Sequence, residues 1–145
     1  MKKILVAIDF SDTTNHVIVK AVELKKAFDA EMFILHTEPP EIFIPSEEMP
    51  YEYMAEIIKR NAENDRRYLL DIRDKLANED IEVHCMLVDG PPVEVILREA
   101  LEYDADLIVL GSHEHGRFYH ALFGSVREGI IHRAKCPVLV VPHGD

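Results

Sequence analysis

Short apolar runs alternate along this chain with longer amphipathic segments. Each run has the length of a β-strand, and each segment between runs repeats apolar residues every three or four positions, as a helix does. The predicted strands are residues 3–9, 32–36, 81–88, 106–110 and 137–141, and the predicted helices are about 11–28, 51–77, 92–100 and 125–134. Strands that alternate with helices form parallel sheets with right-handed crossovers. The sequence therefore predicts an α/β fold with a five-stranded parallel sheet and helices on both faces.

The polarity of each run indicates its place in the sheet. The first and fourth runs are the most uniformly apolar, which favours the centre. In the third run Glu82 and His84 alternate with apolar residues, so this strand is expected to lie toward an edge. The fifth run, from Pro137 to Val141, is short, apolar and at the end of the chain, which also predicts an edge. Because an exposed apolar edge is a liability unless it is paired, we expect a homodimer through this strand.

Size and charge restrict the classes of function. The 145 residues fit a single domain, residues 1–145, and a composition of 48% hydrophobic and 30% charged residues predicts a globular fold. The net charge of −11 repels nucleic acid and anionic membranes, so we expect neither as a partner. A local nest of backbone N–H groups can still hold phosphate in an acidic protein.

The N-terminal run and the cysteines favour a cytoplasmic location. The run from Ile4 to Ile8 is too short for the core of a secretion signal, and no run approaches membrane-spanning length. Cys85 and Cys136 form no spaced pair and no metal motif, so we expect reduced thiols in the core. The neighbouring Lys135 is expected to lower the pKa of the Cys136 thiol slightly.

Two strand ends form the predicted ligand site. Parallel α/β sheets bind ligands beyond the carboxyl ends of their strands, where the strand order reverses. The ends in question are Asp9 after the first strand and Gly111 after the fourth. Asp9 has either a structural role, in which it caps the next helix or bonds loop amides, or a functional one, in which it accepts ribose hydroxyls or a metal-water shell. Its position favours neither role. Gly111 has no Cβ and allows the backbone to approach a ligand closely.

The loop after the fourth strand leads to Gly124-Ser125, where the last helix is predicted to begin. The unpaired N–H groups and the dipole of a helix start suit phosphate. Ser125 and Glu128 also form a capping box, which explains the same serine without a ligand.

Histidines in this loop raise the question of a metal site. The residues that could converge on a divalent ion are His113, Glu114, His115 and His120. Their spacing matches no known structural site, so we expect exposed polar residues and no metal. His36 and His84 are interpreted as ordinary sheet residues. No Gly-x-Ser-x-Gly elbow and no Walker lysine occurs, so the sequence predicts no catalytic residues and at most slow ATP hydrolysis.

The motifs resemble those of the universal stress protein family over essentially the whole chain. The opening Lys-Lys-Ile-Leu-Val-Ala-Ile-Asp-Phe-Ser resembles the family's first strand and its terminal acid, and Leu35-His36-Thr37 resembles the end of its second strand. Its most recognisable stretch is matched by residues 104–113, by Gly124-Ser125-Val126 and by residues 136–141. The resemblance implies a Rossmann-like, adenine nucleotide alpha hydrolase-like sheet in the strand order 3-2-1-4-5.

The resemblance also implies a pocket for ATP, ADP or AMP, with or without Mg or Mn. Asp9 would meet the ribose, and Ala7 and Thr37 would bound the adenine. The residues implied around the ribose and phosphates are Gly111, His113, Gly124, Ser125 and Val126. Nucleotide-binding members carry Gly-x-x-Gly, nine residues, then Gly-Ser or Gly-Thr. Here Glu114 replaces the second glycine and brings a carboxylate near the expected phosphate path, which disfavours ATP.

The sequence therefore leaves two functions open. The first is an adenine-nucleotide-binding stress-response regulator that acts through an unknown protein partner. The second is a nucleotide-free dimeric interaction module, because the family also contains members that bind no nucleotide. An adenylating enzyme would need a Ser-Gly-Gly-type loop or a His-x-Gly-His motif after the first strand, and the chain has neither there. A phosphoacceptor receiver would need a lysine after the fifth strand, where Pro142-His143 stands.

Overall fold

Strands and helices alternate in the computed structural model, which describes residues 1–38, 46–48, 50–112 and 126–142. The strands are β1 (Lys3–Ile8), β2 (Glu31–Glu38), β3 (His84–Asp89), β4 (Leu107–Gly111) and β5 (Val138–Val141). The helices are α1 (Thr14–Phe28), α2 (Tyr51–Asn78), α3 (Pro92–Glu102) and α4 (Val126–Arg133). The strands pair in parallel in the order β3-β2-β1-β4-β5. The predicted α/β class and strand order are confirmed.

The centre of the sheet is β1, which pairs with β2 on one side and with β4 on the other. Ile4, Leu5 and Val6 are fully buried because helices cover both faces of this strand. Ile4 and Val6 pack with α1 and α2, whereas Leu5 packs with α3 and α4 on the opposite face. The central position predicted for the first and fourth strands and the edge position predicted for the third and fifth are confirmed.

The apolar repeat of the sequence predicts an inward face for each helix, and the buried residues differ from it in detail. In α1 the repeat runs through Val17, Ala21 and Phe28. Val17 and Ala21 are buried, but Phe28 is 51% exposed in the last turn, just before Asp29 ends the helix in the left-handed conformation. In α2 the repeat includes Ile58, which is exposed. In α3 it leaves out Val95, which is buried against the sheet.

Pairing between β2 and β3 moves two predicted boundaries. β2 continues past His36 because Thr37 pairs with Val88 and Glu38 with Asp89. The third strand was predicted from residue 81, but β3 begins only at His84, where its pairing with Phe33 starts. Most of residues 39–50, which carry four prolines and are predicted to form a loop, lie outside the described residues, as does the predicted start of the last helix at Ser125.

Both cysteines are free and partly buried, as expected. Burial raises the pKa of Cys85 to about 11. Burial and the carboxylate of Asp106 also raise the pKa of Cys136, so the slight lowering expected from Lys135 is wrong. A protonated thiol is a weak nucleophile, which argues against thiol chemistry at either position. Among the described residues, no helix combines the length and the apolar character that crossing a membrane requires.

Candidate functional site

A cleft opens at the carboxyl end of the sheet, where β1 and β4 are neighbours. Its space is about 550 Å³ when the open mouth is included. The described lining residues come from the ends of β1, β2 and β4 and from the first turns of α1, α3 and α4. This is the strand-order reversal at which the sequence analysis placed a ligand.

The cleft brings together five of the eight residues proposed from the sequence. They are Ala7, Asp9, Thr37, Gly111 and Val126. The other three, His113, Gly124 and Ser125, lie outside the described residues, as does Glu114. Apolar side chains of Leu35, Ile96 and Leu110 line the cleft beside them.

Asp9 holds the turn between β1 and α1. Its Oδ1 accepts a hydrogen bond from the backbone N–H of Ser11 at 2.9 Å. Among the described residues no hydrogen bond reaches Oδ2, so the carboxylate can support the turn with one oxygen and present the other to the cleft. The two roles considered for this residue are therefore compatible.

Phe10 gives this turn an unusual backbone conformation. Its φ of 60° lies in the left-handed region, which L-residues with large side chains rarely adopt. The ring centroid lies 4.1 Å from that of His36 and 4.5 Å from that of Tyr68, so ring contacts hold the residue in place. A strained residue that its surroundings fix beside a cleft is typical of a functional site.

Gly111 is required by a close approach of α1. A Cβ at this position would lie 3.0 Å from Thr13 Oγ1 and 3.3 Å from Val17 Cγ2. The first distance is shorter than most real Cβ contacts, so the absence of a side chain lets the start of α1 pack against the end of β4. The sequence predicts that this glycine admits a ligand, and the described contacts give it a role in packing.

Two buried threonine hydroxyls in the lining have no hydrogen-bond partner within the described part of the chain. They belong to Thr14, in the first turn of α1, and Thr37, in β2. Buried polar groups are nearly always hydrogen-bonded in native proteins, so each of these hydroxyls requires an explanation. A polar ligand in the cleft supplies one, since a hydroxyl can both donate and accept.

Arg127 is a lining residue that the sequence analysis missed. It is half-buried in the first turn of α4, and its guanidinium donates to the backbone carbonyl of Ser112, which follows β4. It brings a positive charge to the cleft that Asp9 also lines. The sequence feature that could have identified Arg127 is its position two residues after the Gly124-Ser125 helix start, where a cation can reach a bound phosphate.

Solved structures share this fold. The universal stress protein UspA from Lactobacillus plantarum superposes with a TM-score of 0.79 at 20% identity, covering 97% of each chain. A universal stress protein in complex with cAMP superposes with a TM-score of 0.63 at 25% identity, covering 99% of this chain and 98% of the other. A further fold match is the universal stress protein from Archaeoglobus fulgidus in complex with dAMP, with a TM-score of 0.65 at 24% identity and coverage of 97% and 98%.

Sequence relationships agree with the fold. The model of the universal stress protein family matches residues 1–142. Universal stress protein MJ0531 of Methanocaldococcus jannaschii is 32% identical over 141 residues, which cover 97% of this chain and 81% of the relative. These matches agree with the motifs at the ends of β1, β2 and β4. The chain belongs to the universal stress protein family.

Proposed function

We propose that this protein binds an adenine nucleotide in the cleft between β1 and β4 and that it regulates protein partners in a stress response. The observation that carries the proposal is the pair of buried hydroxyls of Thr14 and Thr37 in an otherwise largely apolar cleft. Such a combination suits a flat, apolar ring with polar edges, and adenine has that chemistry. The similarity to a family member in complex with cAMP supports the same ligand class.

The lining residues suggest an orientation for the nucleotide. Ala7, Leu35 and Thr37 would bound the adenine, and the carboxylate of Asp9 would accept hydrogen bonds from the ribose hydroxyls. The phosphates would extend toward Arg127 and toward the predicted helix start at Gly124-Ser125.

A direct test is to denature the purified protein and to search the released small molecules for adenylates by mass spectrometry. The wild type is expected to release AMP, ADP or ATP. Calorimetric titration of stripped protein with each of the three then measures which one binds most tightly. Absence of any adenylate, together with no heat on titration, would contradict the proposal.

The variant Thr37→Val tests whether the hydroxyl of Thr37 contributes to nucleotide binding or to the stability of the fold. Valine keeps the shape of threonine but removes the hydroxyl, so a buried group without a partner disappears from the free protein. We expect the free protein to be as stable as wild type or more stable, and nucleotide affinity to fall about tenfold, equivalent to about 1.4 kcal/mol. A loss of stability without a loss of affinity would assign the hydroxyl a role in the fold instead.

The second candidate is a dimeric interaction module that binds no nucleotide. The observation that favours it is Glu114, which replaces a glycine of the nucleotide-binding motif. In both cases we propose a homodimer through β5 and a cytoplasmic location. The release experiment distinguishes the two functions, because only the regulator carries an adenylate.

A further inference from the structure

Three ionisable side chains meet on the face of β2 that is turned away from the cleft. His36 and Glu38 alternate with Thr37 along the strand, so they point to the opposite side of the sheet. There Asp65, from the middle of α2, joins them. The side chain of His36 is fully buried, and those of Glu38 and Asp65 are 13% and 9% exposed. Carboxylates buried to this degree are usually paired with a cation or bound to a metal ion.

The separations of the donor atoms match those of ligands around one cation. His36 Nε2 lies 3.6 Å from Glu38 Oε1 and 3.6 Å from Asp65 Oδ2. These distances exceed the roughly 2.7–3.2 Å of a hydrogen bond. Two donor atoms, each about 2.1 Å from a shared ion and about 110–120° apart at that ion, are separated by about 3.4–3.6 Å. One ligand atom from each residue lies within 4.8 Å of the others.

The hydrogen bond of the other imidazole nitrogen fixes how His36 presents itself to the carboxylates. Nδ1 lies 2.9 Å from the backbone carbonyl oxygen of Ile8. Because a carbonyl can only accept, Nδ1 carries a proton and donates it, so Nε2 is the nitrogen that faces Glu38 and Asp65. In the neutral ring this nitrogen has a lone pair for a metal ion. Histidines that bind metals are oriented in this way by a backbone carbonyl or a carboxylate.

We propose that His36, Glu38 and Asp65 bind a divalent first-row transition metal ion such as Zn²⁺ or Mn²⁺. A neutral imidazole and two carboxylates form a ligand set that such ions bind in proteins. One nitrogen and two oxygens suit these ions better than Ca²⁺ or Mg²⁺, which prefer oxygen ligands alone. The ion would join the end of β2 to α2 on the opposite face from the nucleotide cleft.

The test uses Zn²⁺ as the probe and the full chain without nucleotide. The loop histidines are removed first by His113→Ala, His115→Ala and His120→Ala, so that they cannot compete for the metal. In this background we expect Zn²⁺ to bind, and Asp65→Asn and Glu38→Gln each to weaken the affinity at least about tenfold. His84→Gln, at the exposed histidine of β3, is the matched control and should leave the affinity unchanged. Equal Zn²⁺ affinity in the background protein and in both carboxylate variants would overturn the proposal.

A measurement on the unsubstituted chain covers the case in which the carboxylate variants do not fold. Nitrogen NMR of ¹⁵N-histidine-labelled protein reports the state of each imidazole nitrogen. Zn²⁺ should shift the Nε2 resonance of His36 and leave its Nδ1 protonated, while the resonances of His84 stay in place. If both nitrogens of His36 remain protonated at saturating Zn²⁺, the three residues form an ion-paired cluster and the proposal fails.

Discussion

Arg127 brings a positive charge to a cleft in an acidic protein, and its contribution to ligand binding should depend on the charge of the ligand. We expect Arg127→Gln to weaken ATP binding about tenfold, equivalent to about 1.4 kcal/mol, because a guanidinium attracts a triphosphate more than a monophosphate. Binding of adenosine should change little. Calorimetric titration of both variants with adenosine, AMP and ATP measures the dependence on phosphate count.

Arg133 offers a control on the same helix. It lies at the end of α4, its side chain is 57% exposed, and it contacts Glu94 at 3.3 Å. Arg133→Gln removes the same charge from the protein without reaching the cleft lining, so ATP affinity should stay at the wild-type value. An equal loss of adenosine and ATP affinity in Arg127→Gln would mean that the residue acts through its contact with Ser112 rather than through phosphate.

Glu114 should weaken the binding of phosphate groups, which is the opposite of the effect expected for Arg127. At about 5 Å from a phosphate charge and an effective dielectric near 20, a carboxylate is repelled by roughly 3 kcal/mol, and by under about 1 kcal/mol when it is well solvated. Repulsion grows with phosphate count, so Glu114→Gly is expected to raise affinity for ATP more than for AMP when no metal is present. Calorimetry with both nucleotides in a metal-free buffer tests this.

Repeating those titrations with Mg²⁺ identifies the other possible role of Glu114. If the carboxylate binds Mg²⁺ on the phosphates, Glu114→Gly weakens Mg·ATP binding and leaves metal-free binding unharmed. If the side chain meets only solvent, the variant matches wild type under both conditions. The repulsion hypothesis fails if the variant gains no ATP affinity without metal.

At the scale of the elements, the carboxylate of Asp106 joins the start of β1 to the start of β4. Its Oδ2 accepts hydrogen bonds from the backbone N–H groups of Lys2 and Lys3, at 2.8 and 2.9 Å. These hydrogen bonds, with a smaller contribution from nearby positive charge, lower the pKa of Asp106 below its usual value. The contact lies at the amino ends of β1 and β4, whereas the cleft lies at their carboxyl ends. It should therefore affect stability without affecting ligand binding.

A lowered pKa gives the contribution of Asp106 a definite dependence on pH. The folded state favours the carboxylate, so the stabilisation is complete above the pKa of the unfolded chain, about 3.9, and is lost as pH falls through the lower folded value. Asp106→Asn should therefore lower the melting temperature at pH 7 and converge with wild type in strong acid. Asp71→Asn, at an exposed site on α2, is the control, and its melting temperature should follow that of the wild type at every pH. A constant difference between Asp106→Asn and wild type across the whole pH range would refute the assignment.

Most of the elements could be predicted from local pattern, whereas their ends depended on long-range pairing. The apolar run in β1 and the alternation around His84 were sufficient to place a central and an edge strand. The extension of β2 to Glu38 depends on its partner β3, which lies 46 residues or more away along the chain, so no local pattern contains it. The buried Asp65 lies four residues before the buried Leu69 of α2, where the helical repeat predicts an apolar residue. Its partner His36 is distant in sequence, and only the fold brings the two together.

For the whole molecule, the position of the cleft could be predicted but not its full lining. Asp9 and Gly111 follow from the rule that ligands bind at strand ends where the order reverses. Thr14 and Arg127 were missed because a threonine or an arginine in a first helical turn is common on any solvated helix. Their place in the lining becomes visible only when three helix starts meet above the sheet. The packing role of Gly111 likewise becomes visible only in the fold, where Thr13 and Val17 at the start of α1 leave little space for a Cβ.

The position of β5 at an edge of the sheet formed by the described residues leads to the prediction of a homodimer. β5 is the last strand of the sheet, and its residues Val138, Leu139 and Val140 are only half-buried among the described residues. An apolar strand with one unpaired edge favours association, and pairing of two copies about a two-fold axis covers both edges at once.

Light scattering at micromolar concentration should give about twice the 16.6 kDa of one chain for the wild type. Val140→Lys should give the mass of a monomer, because it places a charge in the paired edge. Leu101→Lys, at a 59% exposed site on α3, should remain a dimer. A monomeric wild type, or a Val140→Lys variant that dimerises as tightly as wild type, would show that β5 is not the interface.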